Sequence, residues 1–458
     1  MSKQILIIGG GISGLSLLHY LKIKYYFVPD VKILLLEEND ILGGTIQSVR
    51  QGDCLFESGP NGFLNAKPRT LHLINELGLD QELISASEQA NLRFVSIKNK
   101  LIPVPMKPQA FLKSNILGPF SKMRLFFEPF IPKGKDPNET IAAFGQRRFG
   151  RKATERLLDS VVTGIFAGDI KKLILREAFP KIYEMEQTSG SILKAMVKNK
   201  KLSRKSGHNA NKEKLMSFRN GMSTITTALA SKHRDHIRSG EHVLSVSVRD
   251  KRYFIHSHRE EYQADQVFLC TPAYASARLM EALDQNLFEQ LNTIVYAPVA
   301  VVGLAFNRQN LNKFPEGFGY LIPSSQKNPV LGVLFENNIF PGRCGENKVL
   351  FRVMLGGSHF PNILEKSKEE LINTAIREIH KHFPISAKPD DIFYTSWPKA
   401  IPQYDQTYVT AKAKIQSQLD KFKDLHLVAN YLNGISFNDC IENAYAAAQT
   451  SRILADKS

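Results

Sequence analysis

The stretch Gln4-Ile-Leu-Ile-Ile-Gly-Gly-Gly-Ile-Ser-Gly14 decides the architecture. Its first half is apolar without alternation, as expected of a strand buried on both faces of a parallel sheet. Its second half, Gly9-Gly10-Gly11-Ile12-Ser13-Gly14, fits the spacing GxGxxG. In that spacing the first glycine permits a tight turn and the second lets backbone approach a pyrophosphate. The third lets helix and strand pack closely. A helix from Ser13 to about Lys22 and a second buried strand, Val31 to Glu37, follow in order. The helix N-terminus offers free N–H groups and a partial positive charge to phosphates. Glu37 ends the second strand, where an acid binds ribose hydroxyls. The unit predicts a dinucleotide site.

Composition bounds the rest. A chain of 458 residues exceeds what one core organises, so two or three subdomains are expected. Hydrophobic residues at 43% and charged residues at 23% exclude wholesale disorder. The longest apolar run, Ala297 to Phe306, is of strand length, so no transmembrane helix is expected. The first residues run into a strand without a basic-then-apolar leader, so a cytoplasmic location is expected. Cys54, Cys270, Cys344 and Cys440 form no CxxC pair, so neither a disulfide framework nor a metal site is expected. Sixty Lys and Arg against 44 Asp and Glu leave a net charge of +16. That excess suits a phospholipid surface, a nucleic acid or an acidic small molecule. Nucleic acid is disfavoured, because residues 198–214 carry no aromatic among their basic residues.

Later segments are less regular. Thr70 to Leu77 and Glu139 to Ala167 read as helices, and Ser191 to Lys214 as a basic stretch whose later part is a surface loop. Strands are expected within 241–270 and at 299–306, 330–336 and 349–357. Ser367 and Glu370 are spaced as a capping box for a helix to His382. A strand at Leu425 to Ala429 and a helix from Asp439 to about Leu454 close the pattern, so the C-terminal unit is expected to rejoin the N-terminal one. Residues 104–130 combine Phe111, Leu112, Ile116, Leu117, Met123, Leu125, Phe126 and Phe127 with Lys107, Lys113, Lys122 and Arg124, and Glu128 is their one acid. Two readings stay open: shallow insertion at an anionic bilayer, or a pocket wall with these residues turned inward.

A second glycine element, Ile41-Leu-Gly-Gly-Thr45, follows the ribose-binding strand, and Glu57-Ser-Gly-Pro-Asn61 follows that. With them the sequence resembles the FAD-dependent amine-oxidase-like flavoproteins. Further stretches resemble one branch, the protoporphyrinogen/coproporphyrinogen oxidases of haem synthesis. They are Arg93-Phe94 with Leu101–Pro105, Arg147–Gly150, Gly164–Asp169, Ser217–Gly221, Gly317–Pro323, Leu355–Gly357, Ile401–Tyr404 and Gly434–Ile441. The order is kept along essentially the whole chain. Three departures stand out: Ala429-Asn430 and Asn443-Ala444 replace glycine-containing pairs, and Gln403–Tyr408 lacks a Gly-His.

The resemblance implies an α/β plus α fold. A Rossmann-like FAD-binding domain would be built from 1–75, 215–290 and 405–458. A mixed-sheet substrate domain would take 76–110 and 291–404. A helical subdomain with a potential membrane contact would take 111–214. Non-covalent FAD would be held by Gly9, Gly10, Gly11, Ile12, Ser13, Gly14, Glu37, Gly43, Gly44, Thr45, Gly59, Pro60, Asn61 and Gly62. Val243, Tyr408, Ile435, Ser436 and Phe437 would complete that set. Asn61 would orient the substrate at the flavin's reactive edge, and Arg93, Gly164, Gly168 and Met354 would contact it. The implied reaction is six-electron oxidation of protoporphyrinogen IX or coproporphyrinogen III, with O2 reduced to H2O2. Another oxidase or desaturase of the same fold, or a catalytically silent flavin-binding membrane protein, remain the alternatives.

Overall fold

The computed structural model describes residues 3–105, 108–205, 213–312, 316–385 and 387–452. Lys107, the side chain of Leu112 and residues 206–212 of the basic stretch lie outside them.

The first strand, Lys3–Ile8, lies at the centre of a five-stranded parallel sheet. On one side it pairs with Val31–Leu36, which in turn pairs with Ile237–Arg238. On the other it pairs with Gln266–Leu269, which pairs with Leu425–Leu427. Helix Ile12–Lys24 is buried from Ile12 to Leu21, because it is covered by sheet on one side and by helix Phe437–Thr450 on the other. The sheet thus draws on three distant parts of the chain, and the C-terminal unit does rejoin the N-terminal one.

A seven-stranded mixed sheet forms the second layer. Its order is Asp391–Pro402, Tyr296–Asn307, Lys348–Gly356, Val330–Phe335, Gly319–Leu321, Arg93–Ile97, Lys100–Val104. One face packs Ala300, Val302, Leu304, Phe351 and Val353 against helix Lys368–His382. That helix begins with the expected capping box, Ser367 with Glu370. Alternation along the strands turns Val299, Val301, Gly303, Arg352 and Met354 to the opposite face. There Val299 stands beside Trp397 and Gly356, Val301 beside Met354 and Thr395, and Gly303 beside Arg352.

Three expectations are corrected. The helix expected over 139–167 is broken: Gly150 adopts φ 83°, a π-helical turn covers Thr154–Leu158, and Ala167 ends it in the left-handed region. The basic stretch is helical over Ile192–Lys205. Glu128 explains that helix: its carboxylate accepts from the Ser191 hydroxyl and from the Ile192 and Leu193 amides, a cap supplied from 63 to 65 residues upstream that no local pattern announces. Last, Cys54 and Cys344 form a disulfide across a separation of 290 residues. Pairing between residues so far apart leaves no spacing signal in a sequence.

The 104–130 stretch divides between the two readings. Ile116 and Leu117 are buried against Ala153, whereas Phe120, Met123, Phe126, Phe127 and Phe130 are exposed. Glu128 is fully buried and paired with the equally buried Arg148. Among the described residues no helix is long and apolar enough to cross a membrane.

Candidate active site

The glycine turn closes tightly on the parallel sheet. A Cβ on Gly14 would stand 1.9 Å from the Gly9 carbonyl oxygen, and one on Gly10 would strike Leu42 at 2.5 Å. A Cβ on Gly11 would meet nothing within 4 Å. Space is therefore open where a pyrophosphate approaches the helix N-terminus, which no side chain caps. The second glycine element borders the same space. Gly43 forms a bridge with Gly11, its amide donates to the Gly10 carbonyl at 2.8 Å, and Gly44 has φ 60°. This cradle fits the diphosphate of FAD.

Glu37 stands at its edge. Its Oε2 accepts from the Gly10 amide at 2.6 Å, and its Oε1 accepts from the amide and side chain of Asn39. The Glu241 amide donates to the Glu37 carbonyl, bringing buried Val243 to the same end of the sheet. Ile12 and Ser13 are buried in the first turn of the helix. Across from it, Ile435, Ser436 and Phe437 begin the last helix, where Ser436 forms a capping box with Asp439 and Phe437 packs on Phe63. Tyr408 lies deeper than a cofactor contact requires. It is about 1% exposed, and its hydroxyl donates to the Leu432 carbonyl. It supports the 429–436 loop from behind, as Tyr404 does by donating to the Asn430 carbonyl.

The turn Ser58-Gly59-Pro60-Asn61-Gly62 lies between this cradle and the mixed sheet. On the cradle side the Ser58 hydroxyl donates to the Thr45 carbonyl, and a Cβ on Gly59 would stand 2.2 Å from that oxygen. On the sheet side Arg352 donates to the Gly59 carbonyl, and Trp397 Nε1 donates to the Ser58 carbonyl at 3.0 Å. Asn61 reaches Glu336 at 3.5 Å, and its carbonyl accepts from Ser217. A Cβ on Gly62 would strike the Met216 carbonyl at 2.6 Å. Glu57 at the start of the turn is buried beside Arg343, 3.3 Å away, and burial raises its carboxyl above the ordinary range.

The apolar wall beyond the turn consists of Val299, Val301, Leu331 and Met354 with Ala167. Four of the separate sequence stretches meet here. Ser358, just after Gly357, donates to the Ala167 carbonyl, Gln403 donates to the Phe166 carbonyl, and Leu321 packs on Gly164. Gly168 differs from its expected role. It is buried, and a Cβ there would meet Gln403 and Leu173, so the glycine serves packing of the chain and not an approaching ligand. Gly164 is exposed, with its nearest approach to the Leu321 side chain. Arg93 opens the strand at the rim of the same sheet face. It is exposed, its guanidinium lies 4.9 Å from the Phe318 ring, and no carboxylate pairs with it among the described residues.

Sequence reasoning missed the sheet-side partners Arg352, Trp397, Glu336 and Arg343. One signal was present: Arg352 is the lone charge within Val349-Leu-Phe-Arg-Val-Met-Leu355. A charge inside a buried strand needs a partner.

The model of the family described as flavin containing amine oxidoreductase matches residues 12–450. Protoporphyrinogen oxidase of Bos taurus is 31% identical over 98% of both chains, and that of Homo sapiens 30% over the same shares. Coproporphyrinogen III oxidase of Staphylococcus aureus is 26% identical over 98% of this chain and 99% of its own. Among solved structures, cyclohexylamine oxidase from Brevibacterium oxydans superposes with a TM-score of 0.69 at 15% identity, covering 98% of each chain. A protein of Exiguobacterium sp. 255-15 superposes at 0.82 with 20% identity over the same shares. The cradle of Gly11, Gly43 and Gly44 and the match over nearly the whole chain lead to one conclusion: the protein belongs to the flavin-containing amine oxidoreductase family and is an FAD-dependent oxidoreductase.

Proposed function

We propose that the protein oxidises a porphyrinogen, either protoporphyrinogen IX or coproporphyrinogen III, to the porphyrin in haem synthesis. The observation that carries this reading is Arg93. It is an arginine without a carboxylate partner among the described residues, at the rim of an apolar wall that faces the flavin-side turn. A porphyrinogen has that pattern of chemistry, with apolar pyrroles at its centre and carboxylates at its edge. The planar Arg93 fork suits a propionate. Val299, Val301, Leu331 and Met354 form a wall for the macrocycle and exclude water from it. Asn61, half-buried in the turn, offers an amide oxygen to a pyrrole N–H. When bound, FAD supplies a hydride acceptor, and the cation left on a bridge carbon is delocalised over its neighbouring pyrroles. Three such two-electron removals give the aromatic ring, and three O2 leave as H2O2.

The test compares both porphyrinogens with the purified holoenzyme, reading porphyrin fluorescence and H2O2. Fluorescence growth with about one H2O2 per two electrons supports the reading, and the faster substrate identifies the propionate count. Retained flavin with no turnover of either would favour a silent flavoprotein.

A membrane surface as partner, on the cytoplasmic side, has its own support. Phe120 is 83% exposed and Phe130 80%, and Met123, Phe126 and Phe127 are exposed near them. Helix Ile192–Lys205 packs on the Glu128–Phe130 turn and exposes Leu193, Met196, Val197 and Leu202 among lysines 194, 198, 200 and 201. Apolar anchors with basic neighbours suit shallow docking at an anionic bilayer. Flotation with anionic liposomes that weakens as salt rises supports it. Flotation unchanged by Phe126→Glu with Phe127→Glu overturns it.

A further inference from the structure

The flavin-side turn is gripped from the substrate side as well as from the cofactor side. Arg352 belongs to the strand Lys348–Gly356 and is 7% exposed. It shares a sheet face with Met354, two residues on, and stands opposite Gly303 and Leu334. Its Nη2 donates to the Gly59 carbonyl. Trp397, beside Val299 on that face, donates to the preceding carbonyl, that of Ser58. Glu336, which is 3% exposed, meets the Asn61 amide. Two consecutive turn residues therefore carry a bond from the sheet that forms the substrate wall, and Asn61 donates to Glu336 at the start of the short helix that follows strand Val330–Phe335. The opposite side of the turn is closed by the Thr45 carbonyl.

The surroundings give this grip its rigidity. Arg352 belongs to a buried set of two acids and two arginines: Glu57, Glu336, Arg343 and Arg352. Burial draws its guanidinium below the ordinary arginine value, while Glu336 and Glu57 oppose that shift. Arg352 Nε and Glu336 Oε2 are both buried without a hydrogen-bond partner among the described residues. A buried charge is retained at a cost in desolvation, and its planar fork fixes a carbonyl more narrowly than an apolar contact would.

We infer that Arg352 is a positioning residue for the oxidation: anchored in the substrate sheet, it holds the Gly59 carbonyl and so sets the spacing between the flavin-side turn and the wall that carries the substrate. Trp397 is the second anchor, at Ser58. The inference deepens the proposed oxidation and rests on it for the kinetic readout, but not for the spectral one. Productive hydride transfer requires the reacting atoms within a few tenths of an ångström of their best separation, so a loosened turn slows chemistry more than binding.

The test uses holoenzyme with Arg352→Met, Arg352→Lys and Trp397→Phe. Three quantities are read: FAD content, the visible flavin band with its dithionite-titrated midpoint potential, and kcat and KM separately. Arg352→Met is expected to keep FAD but shift the band and lower kcat about tenfold or more, with KM changed less than about threefold. Arg352→Lys keeps the charge without the fork and should recover only part of kcat. Trp397→Phe should move the same quantities in the same direction by less. Should Arg352→Met fail to fold, Arg352→Met with Glu336→Gln removes the charge left behind and carries the comparison. A variant that retains FAD with unaltered band and kcat overturns the inference. So does a rise in KM alone, which would make Arg352 a substrate ligand. If the unmodified protein turns over neither porphyrinogen, the proposed reaction fails; the band and potential still report on Arg352.

Discussion

The Gly10 amide donates to Glu37 Oε2 at 2.6 Å, so the glycine turn and the ribose-side acid are one unit. Three in-chain donors fix the Glu37 carboxylate in place before any ligand arrives. Glu37→Ala is expected to weaken FAD binding, with loss of one charge-assisted bond costing about 1.5–3 kcal/mol. Fluorescence titration of apoprotein with FAD measures it; unchanged affinity would show that the ribose is held elsewhere.

Gly11→Val tests the neighbouring position. A Cβ there meets nothing within 4 Å, so the variant is expected to fold. It should nevertheless lose FAD, because the valine occupies the pyrophosphate's space. Yellow, fully loaded protein would refute the placement. The FAD is expected to be non-covalent, so denaturation should release all colour to the supernatant.

Arg93→Ala should raise KM for the porphyrinogen more than it lowers kcat. A charge-assisted bond is worth roughly ten- to hundredfold in kcat/KM. Because Arg93 is exposed at the rim, water screens it, and the lower end of that range is expected. Steady-state kinetics decide, and an unchanged KM would place the propionate elsewhere.

Acid stability should depend on His233. It is buried, its Nε2 lies 3.0 Å from His19 Nδ1, and His19 Nε2 lies 3.2 Å from Glu76. Burial, then the charges of His19 and Lys232, draw the His233 pKa down to about 4. The folded value lies below the unfolded one, so the unfolded chain binds more protons between them. The contribution is therefore complete above the ordinary histidine range and is lost as pH falls toward about 4. Loss on the order of 3 kcal/mol across that window is expected. Urea midpoints measured against pH should fall less steeply in His233→Gln.

Thiol counting tests the Cys54–Cys344 disulfide. Cys270 and Cys440 are free and buried, and burial pushes the Cys440 thiol up to about 11. Native protein should react with almost no thiol reagent, unfolded protein should show two thiols, and reduced unfolded protein four. Four thiols without reduction would refute the bond.

What could be read from the sequence follows the range of each interaction. The Gly9–Gly14 turn and the Ser367 capping box are local, so each leaves a pattern within a few residues, and Glu37 is legible because it ends the strand that follows the glycine turn and its helix, 27 residues from Gly10. The Glu128 cap on helix Ile192–Lys205, the Cys54–Cys344 bond and the Arg352 grip on Gly59 join residues from about 60 to about 290 apart. Each depends on tertiary packing that no local spacing records. The 104–130 stretch shows the intermediate case. Composition established its apolar and basic character, but which residues turn outward depends on Ile116 and Leu117 finding Ala153.

The parallel sheet imposes an order on how the enzyme is made. Its inner strand is synthesised first, yet its edge strand, Leu425–Leu427, and the helix that covers the glycine turn come last. During translation the sheet therefore stays incomplete until residue 427 is made, with Gln266–Leu269 lacking its outer neighbour until then. Such long-range pairing is slow and leaves apolar strand edges open to other chains. A ligand that binds only the completed glycine turn stabilises the closed sheet over the open one by mass action, so FAD favours the finished domain.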